Sequence, residues 1–103
     1  AVKPNFAPIL DKFAASLNQN PVTTVTIIGH TDNTGTDAIN NPLSIQRADS
    51  TRDYLAARGV ARSRIATDGR GAREPVAANT TQAGRDKNRR VEIYVAEAQA
   101  AAK

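Results

Sequence analysis

One acid and one base are placed where their types could do chemistry together: Asp32 and Arg47. Asp32 lies in Gly29-His30-Thr31-Asp32-Asn33-Thr34-Gly35, a polar loop leaving the apolar β-type run Val25-Thr26-Ile27-Ile28. Arg47 lies in the helical segment that follows. Asn41 suits the N-cap of that helix, and Pro42 suits its first position, where a missing amide costs nothing. On that reading Arg47 falls in the second turn, near the free amides that favour anions at a helix start. Acid, base and amides meeting at one rim would bind something that carries both charges.

Arg47 is also on an unexpected face. At 100° per residue, Leu43, Arg47, Ala48, Thr51, Tyr54 and Leu55 share one arc, while Gln46, Asp49, Arg52 and Asp53 share the opposite one. An arginine on the inward stripe needs an anionic partner, because a buried unpaired charge is costly. Two partners are open at this stage. One is an internal salt bridge to Asp32 or Asp37 that merely ties helix to loop; the other is an external ligand.

Other chemistries find less support. His30, the single histidine, precedes Asp32 as a base might precede its orienting carboxylate, but no serine has a nucleophile context and there is no cysteine. A histidine at a strand end reads instead as a loop hydrogen-bond donor. The run from Asp32 to Asp37 lacks a calcium loop's glycine placement, and Leu43 stands where a bidentate glutamate belongs, so no metal is expected. Gly69-Arg70-Gly71 is too short for a phosphate fingerprint and reads as turn chemistry. No cofactor is implied.

The elements that must position Asp32 and Arg47 can be read from periodicity. Asn5–Asn18 is an amphipathic helix with Phe6, Ile9, Leu10, Phe13 and Leu17 inward, and Asn20-Pro21 stops it. Val22–Ile28 is a strand rich in β-branched residues. The second helix runs from about Pro42 to Arg58 and ends at Gly59. Val60–Arg64 links it to a short strand, Ile65–Arg70. Ala72–Thr81 is loop by composition, and Gln82–Asn88 forms a helical turn. Arg89–Ala96 is a strand with Val91, Ile93 and Val95 on one face. Glu97–Lys103 is a frayed or disordered Ala-rich tail. The order gives an α/β fold, a two-layer sandwich of helices on a small mixed β-sheet, with one domain over residues 1–96.

Composition narrows the function classes. The 103 residues include no cysteine and only four aromatics, and the net charge is +4 with pI near 10. Disulfides and thiolate chemistry are excluded. No apolar run approaches the about 20 residues that cross a bilayer as a helix. The chain begins with Ala rather than Met, as a processed chain or an excised domain would. The basic balance raises nucleic acid, an anionic cell-wall polymer or a membrane surface as partners, but the arginines are scattered and not interleaved with aromatics as a base-stacking platform requires.

Gly29-His30-Thr31-Asp32-Asn33-Thr34-Gly35, Asn40, Leu43-Ser44-x-x-Arg47-Ala48, Gly59-Val60 and Asn88-Arg89-Arg90-Val91-Glu92-Ile93 together resemble the OmpA-like C-terminal domain. This is the peptidoglycan-binding module of outer-membrane protein A, the peptidoglycan-associated lipoprotein and flagellar stator proteins. The resemblance covers about Lys3 to Val95. It implies non-covalent binding of the diaminopimelate residue in the cell-wall stem peptide, in the periplasm of a Gram-negative envelope, without catalysis. Asp32 would pair with the ligand's ammonium and Arg47 would receive its carboxylate, with loop amides near Thr34 assisting; Asn40 and Arg89 match supporting positions. Arginine's fork suits a carboxylate. One departure is that the family's first strand is missing: only Ala1-Val2 precede Lys3-Pro4, which predicts a three-stranded sheet with an exposed edge. A basic nucleic-acid-binding domain is the alternative, and a hydrolase using His30 and Asp32 a distant third.

Overall fold

A computed structural model describes residues 6–20 and 22–97. The elements are α1 (Ala7–Gln19), β1 (Thr23–Gly29), α2 (Asp37–Ala57), a single 3-10 turn (Arg62–Arg64), β2 (Ile65–Gly69), α3 (Gln82–Asn88) and β3 (Val91–Glu97). The expected start of the first helix at Asn5, the segment at which the family's first strand was expected to be missing and most of the Ala-rich tail lie outside the described residues. The sheet has three strands in the order β2-β1-β3, with β1 parallel to β2 and antiparallel to β3. This is the mixed sheet and two-layer α/β architecture expected.

Alternation along β1 sorts the two faces. Val25 and Ile27 point into the core with Ile65, Val91 and Ile93, while Thr24, Thr26 and Ala66 on the other face are exposed. Leu10, Ala14 and Leu17 of α1 and Ala48 and Leu55 of α2 complete the core. Ile9, expected inward, is 59% exposed. The buried stripe is centred on Leu10, Ala14 and Leu17, and Ile9 lies a full 100° from Leu10. Tyr54 of α2 donates to Asp11 Oδ1 of α1 at 2.8 Å, and the Arg58 guanidinium lies over its ring at 4.0 Å. The C-terminal glycine of α2 is as expected, with Gly59 at φ 97°.

The start of α2 differs from expectation. Thr36, extended at φ −101° and ψ 165°, is the N-cap, and the helix begins at Asp37 rather than Pro42. Asn41 is therefore an interior residue. Asp37 supplies the negative charge that suits a first turn. Pro42 sits inside the helix, where it removes a single bond, the one to the Ala38 carbonyl, and Ala38 is exposed, so water can satisfy that carbonyl.

Where α2 crosses the sheet, side chains are missing by design of the sequence. Gly29 and Gly69 are register partners on β1 and β2. A Cβ on Gly29 would stand 2.0 Å from the Ser44 carbonyl oxygen, and one on Gly69 would stand 2.5 Å from Ser44 Oγ and from Ile45 Cγ1. The helix backbone thus lies directly on the ends of the two parallel strands. Ser44, fully buried, accepts from the Gly71 amide at 2.9 Å and donates to the Asn41 carbonyl at 2.8 Å. The next turn of the helix carries Arg47.

Candidate functional site

The C-terminal end of β1 runs through His30 and Thr31 into Asp32, all three buried. The His30 amide donates to the Arg90 carbonyl at 2.8 Å and the Thr31 amide to the Gly71 carbonyl at 2.9 Å, so the segment stays pinned on both sides after the strand ends. Asp32 Oδ1 accepts from the Thr34 amide at 2.7 Å, and Oδ2 accepts from Arg89 Nη1. Asn40 Nδ2 and Thr31 Oγ1 both donate to the Asp32 carbonyl, at 3.4 and 2.9 Å. Burial pushes the Asp32 carboxyl up, but Thr34 and Arg89 together outweigh it and hold the group below the ordinary aspartate value. Asp32 is an ionised acid with its lone pairs only partly used.

Arg47, about three turns into α2, reaches back to the same segment and donates from Nη1 to the His30 carbonyl at 2.9 Å. Among the described residues no carboxylate lies within salt-bridge distance of it. The internal bridge to Asp32 or Asp37 that the sequence left open is not formed. Burial, with the neighbouring Arg89 charge, pushes Arg47 below the usual guanidinium value, and Asp32 pulls the other way. Arginine nonetheless stays charged at any physiological pH. The result is a half-buried cation with most of its five donors uncommitted. The helix's free amides do not join it: α2 starts earlier than expected, and Asp37 stands about 15 Å from Arg47 along the axis.

Arg89 is positioned by a separate device. Asn88, fully buried, uses its whole side chain to fasten the 72–81 loop. Its Oδ1 accepts from the Val76 and Ala77 amides, and its Nδ2 donates to the Ala77 carbonyl and to Asn79 Oδ1. Thr81 caps α3 by accepting from the Gly84 amide at 2.9 Å. The next residue, Arg89, then bridges two carboxylates, Asp32 through Nη1 and Asp86 through Nη2.

Beneath the site His30 presents its ring to Glu92 rather than to Asp32. Its Nε2 lies 3.1 Å from Glu92 Oε1. The ring is fully buried, not the loop donor expected. Glu92 also accepts from Arg90 Nε and the Tyr94 hydroxyl, each at 2.8 Å. Burial raises the Glu92 carboxyl, but the Tyr94, Arg90 and His30 contacts prevail and take it down to about 2.

Asp32, Arg47, Thr34, Asn40 and Arg89 thus converge on the mouth of β1. One role differs from expectation: the Thr34 amide is directed at Asp32 rather than left free for a ligand. Of the alternatives left open for Asp32, the internal bridge to Arg47 is not formed, and the residue on its carboxylate is Arg89. Sequence reasoning missed the Gly29–Gly69 contact, the Asn88 staple, Glu92 and Asp86. The Asp86–Arg89 spacing of one helical turn was the available signal for the last.

A family model described as "OmpA family" matches residues 1–89. The peptidoglycan-binding protein ArfA of Mycobacterium tuberculosis is 56% identical over 87 residues, 84% of this chain and 27% of that protein. Outer membrane porin F of Pseudomonas fluorescens is 50% identical over 99 residues, 96% of this chain and 30% of the porin. The chain therefore spans less than a third of these curated relatives. Among solved structures, the crystal structure of the peptidoglycan-associated lipoprotein from Burkholderia pseudomallei superposes with a TM-score of 0.90 at 28% identity, covering 93% of this chain and 81% of that one.

Proposed function

The chain belongs to the OmpA family, and on that footing we propose that it binds peptidoglycan non-covalently through the diaminopimelate residue of the stem peptide. Its role is to tether a longer envelope protein to the cell wall. The observation that carries this reading is the Arg47 guanidinium, half-buried, held by a single main-chain carbonyl and without a carboxylate, beside the ionised Asp32. The free end of diaminopimelate carries an ammonium and a carboxylate on one carbon. Asp32 takes the ammonium and Arg47 forks onto the carboxylate. Thr34 and Asn40 hold the Asp32 segment in shape, and Arg89 keeps that acid ionised.

The role we propose is binding rather than hydrolysis: the His30 ring faces Glu92 instead of Asp32, which does not favour the histidine–aspartate pairing of the hydrolase reading. The similarity to an outer membrane porin and a peptidoglycan-associated lipoprotein supports a periplasmic setting, with the parent chain held in the outer membrane or envelope. A nucleic-acid-binding role is not favoured. Arg52, Arg58, Arg62, Arg70 and Arg90 are paired with carboxylates, and Arg64 and Arg73 with carbonyls, leaving no free basic stripe among the described residues.

The test is a pull-down on purified sacculi. The protein should be retained by peptidoglycan containing diaminopimelate and released by free diaminopimelate. Sacculi with lysine at that position lack the distal carboxylate and should retain it more weakly. Equal retention on both wall types would remove Arg47 as a carboxylate receptor.

A further inference from the structure

Asp86 contacts the site's network without facing the ligand. It is the second carboxylate on Arg89, and its Oδ1 accepts from Gln82 Nε2 at 2.9 Å. Its side chain is 58% exposed, whereas that of Asp32 is 8% exposed. The groups around the ligand's seat are two cations, Arg47 and Arg89, and one anion, Asp32. Left alone, that triad carries a positive excess and attracts any carboxylate. It also repels an ammonium, because Arg89 sits on one of the two oxygens that should receive it. A carboxylate on the far side of Arg89 cancels that charge and restores the negative seat at Asp32.

We propose that Asp86 sets the charge balance of the site and thereby its preference for a ligand end bearing an ammonium beside its carboxylate over one bearing a carboxylate alone. This rests on the peptidoglycan reading above. An exposed ion pair contributes little to stability, so removing Asp86 alters the local field far more than the fold. Asp86 acts through Arg89 and is a positioning residue.

The experiment displaces the protein from diaminopimelate-containing sacculi with two soluble probes, diaminopimelate and pimelate, which share a carbon chain and differ in the amines. For the parent, diaminopimelate should compete far better. In Asp86→Asn the preference should narrow by about three- to tenfold, the scale of a unit charge two contacts away in a half-solvated site. Asp86→Glu should restore it. A ratio unchanged in Asp86→Asn, or equal weakening towards both probes, marks Asp86 as merely structural and overturns the proposal. If diaminopimelate fails to displace even the parent, the peptidoglycan reading falls and this inference with it. If it does displace the parent while the ratio stays fixed, only the inference falls.

Discussion

At the N-terminal end of β1, Arg64 donates from Nε to the Thr23 carbonyl, and from Nη2 to the Leu17 and Asn20 carbonyls and the Thr23 hydroxyl, all within 2.9 Å. At the C-terminal end, Arg47 makes one such bond, to His30. Both arginines are half-buried and both address main-chain oxygens. The first has its Nε and Nη2 edges engaged by four oxygens in clasping α1 to the strand; the second is held by one contact and otherwise left open. The number of such contacts, rather than burial or residue type, separates an arginine that builds the fold from one that, on the proposed reading, receives a ligand.

The contrast can be broken most directly at the open end. Arg47→Ala and Asp32→Ala should each lower wall binding by about 30-fold to several thousand-fold, the usual cost of truncating one partner of a desolvated charge pair. Arg47→Lys should fail nearly as badly, lacking the fork. Melting curves should stay within a few degrees of the parent. If Arg47→Ala unfolds the protein, or folded Asp32→Ala binds sacculi as the parent does, the distinction between the two ends collapses.

At the clasped end the effects should swap. Arg64→Ala orphans several carbonyls and should cost about 2 kcal/mol, on the order of 10 °C in melting temperature for a domain of this size. Binding by the folded fraction should be unchanged, as a sacculus pull-down below the transition can show.

Acid should also act unequally. Glu92, lowered to about 2, has a folded value below its unfolded one. Its stabilisation is therefore complete above its ordinary value and lost as pH falls from about 4.5 towards 2. With the side chain 28% exposed, screening reduces this to about 1–2 kcal/mol. Asp32 shifts in the same direction, so binding should outlast the ordinary aspartate range on acidification and fail only as that acid protonates. Among the described residues the partners of Arg64 are carbonyl and hydroxyl oxygens, and amide exchange around Thr23 should respond less to this acidification than exchange around His30. The smallest change belongs to exposed pairs: Arg62→Ala, which loses Asp53 at 60% and 52% exposure, should leave the melting curve nearly where it was. A clear drop in melting temperature would mean that the number of part-buried contacts is not what sets an arginine's structural weight here.

The mouth of β1 was legible because charge patterning is local: an acid after a β-branched run and an arginine on an inward stripe are visible without the fold. Val91 and Ile93 likewise announced the inward face of β3. The start of α2 was not legible, since Thr36-Asp37 and Asn41-Pro42 are rival start signals and only packing chooses between them. Nor was the partner of Asp32, because Arg89 arrives from an element remote in sequence. Ile9 shows the same limit on a smaller scale: a helical wheel finds an apolar arc but not where along it the core is centred.

The glycine pair under α2 has a consequence for how the binding site can change. With the Ser44 main chain resting on Gly29 and the Ser44–Ile45 segment on Gly69, the span between the strand-end acid and the helix-borne arginine works as a calliper with fixed jaws. Adding a side chain to either glycine drives the helix off the sheet. A ligand of another length can be met only by the exposed turn from Asn33 to Thr36, which lies outside the clamped frame. Reprogramming this domain for other wall chemistries is therefore a matter of loop grafting, with the reach between its two charges held constant.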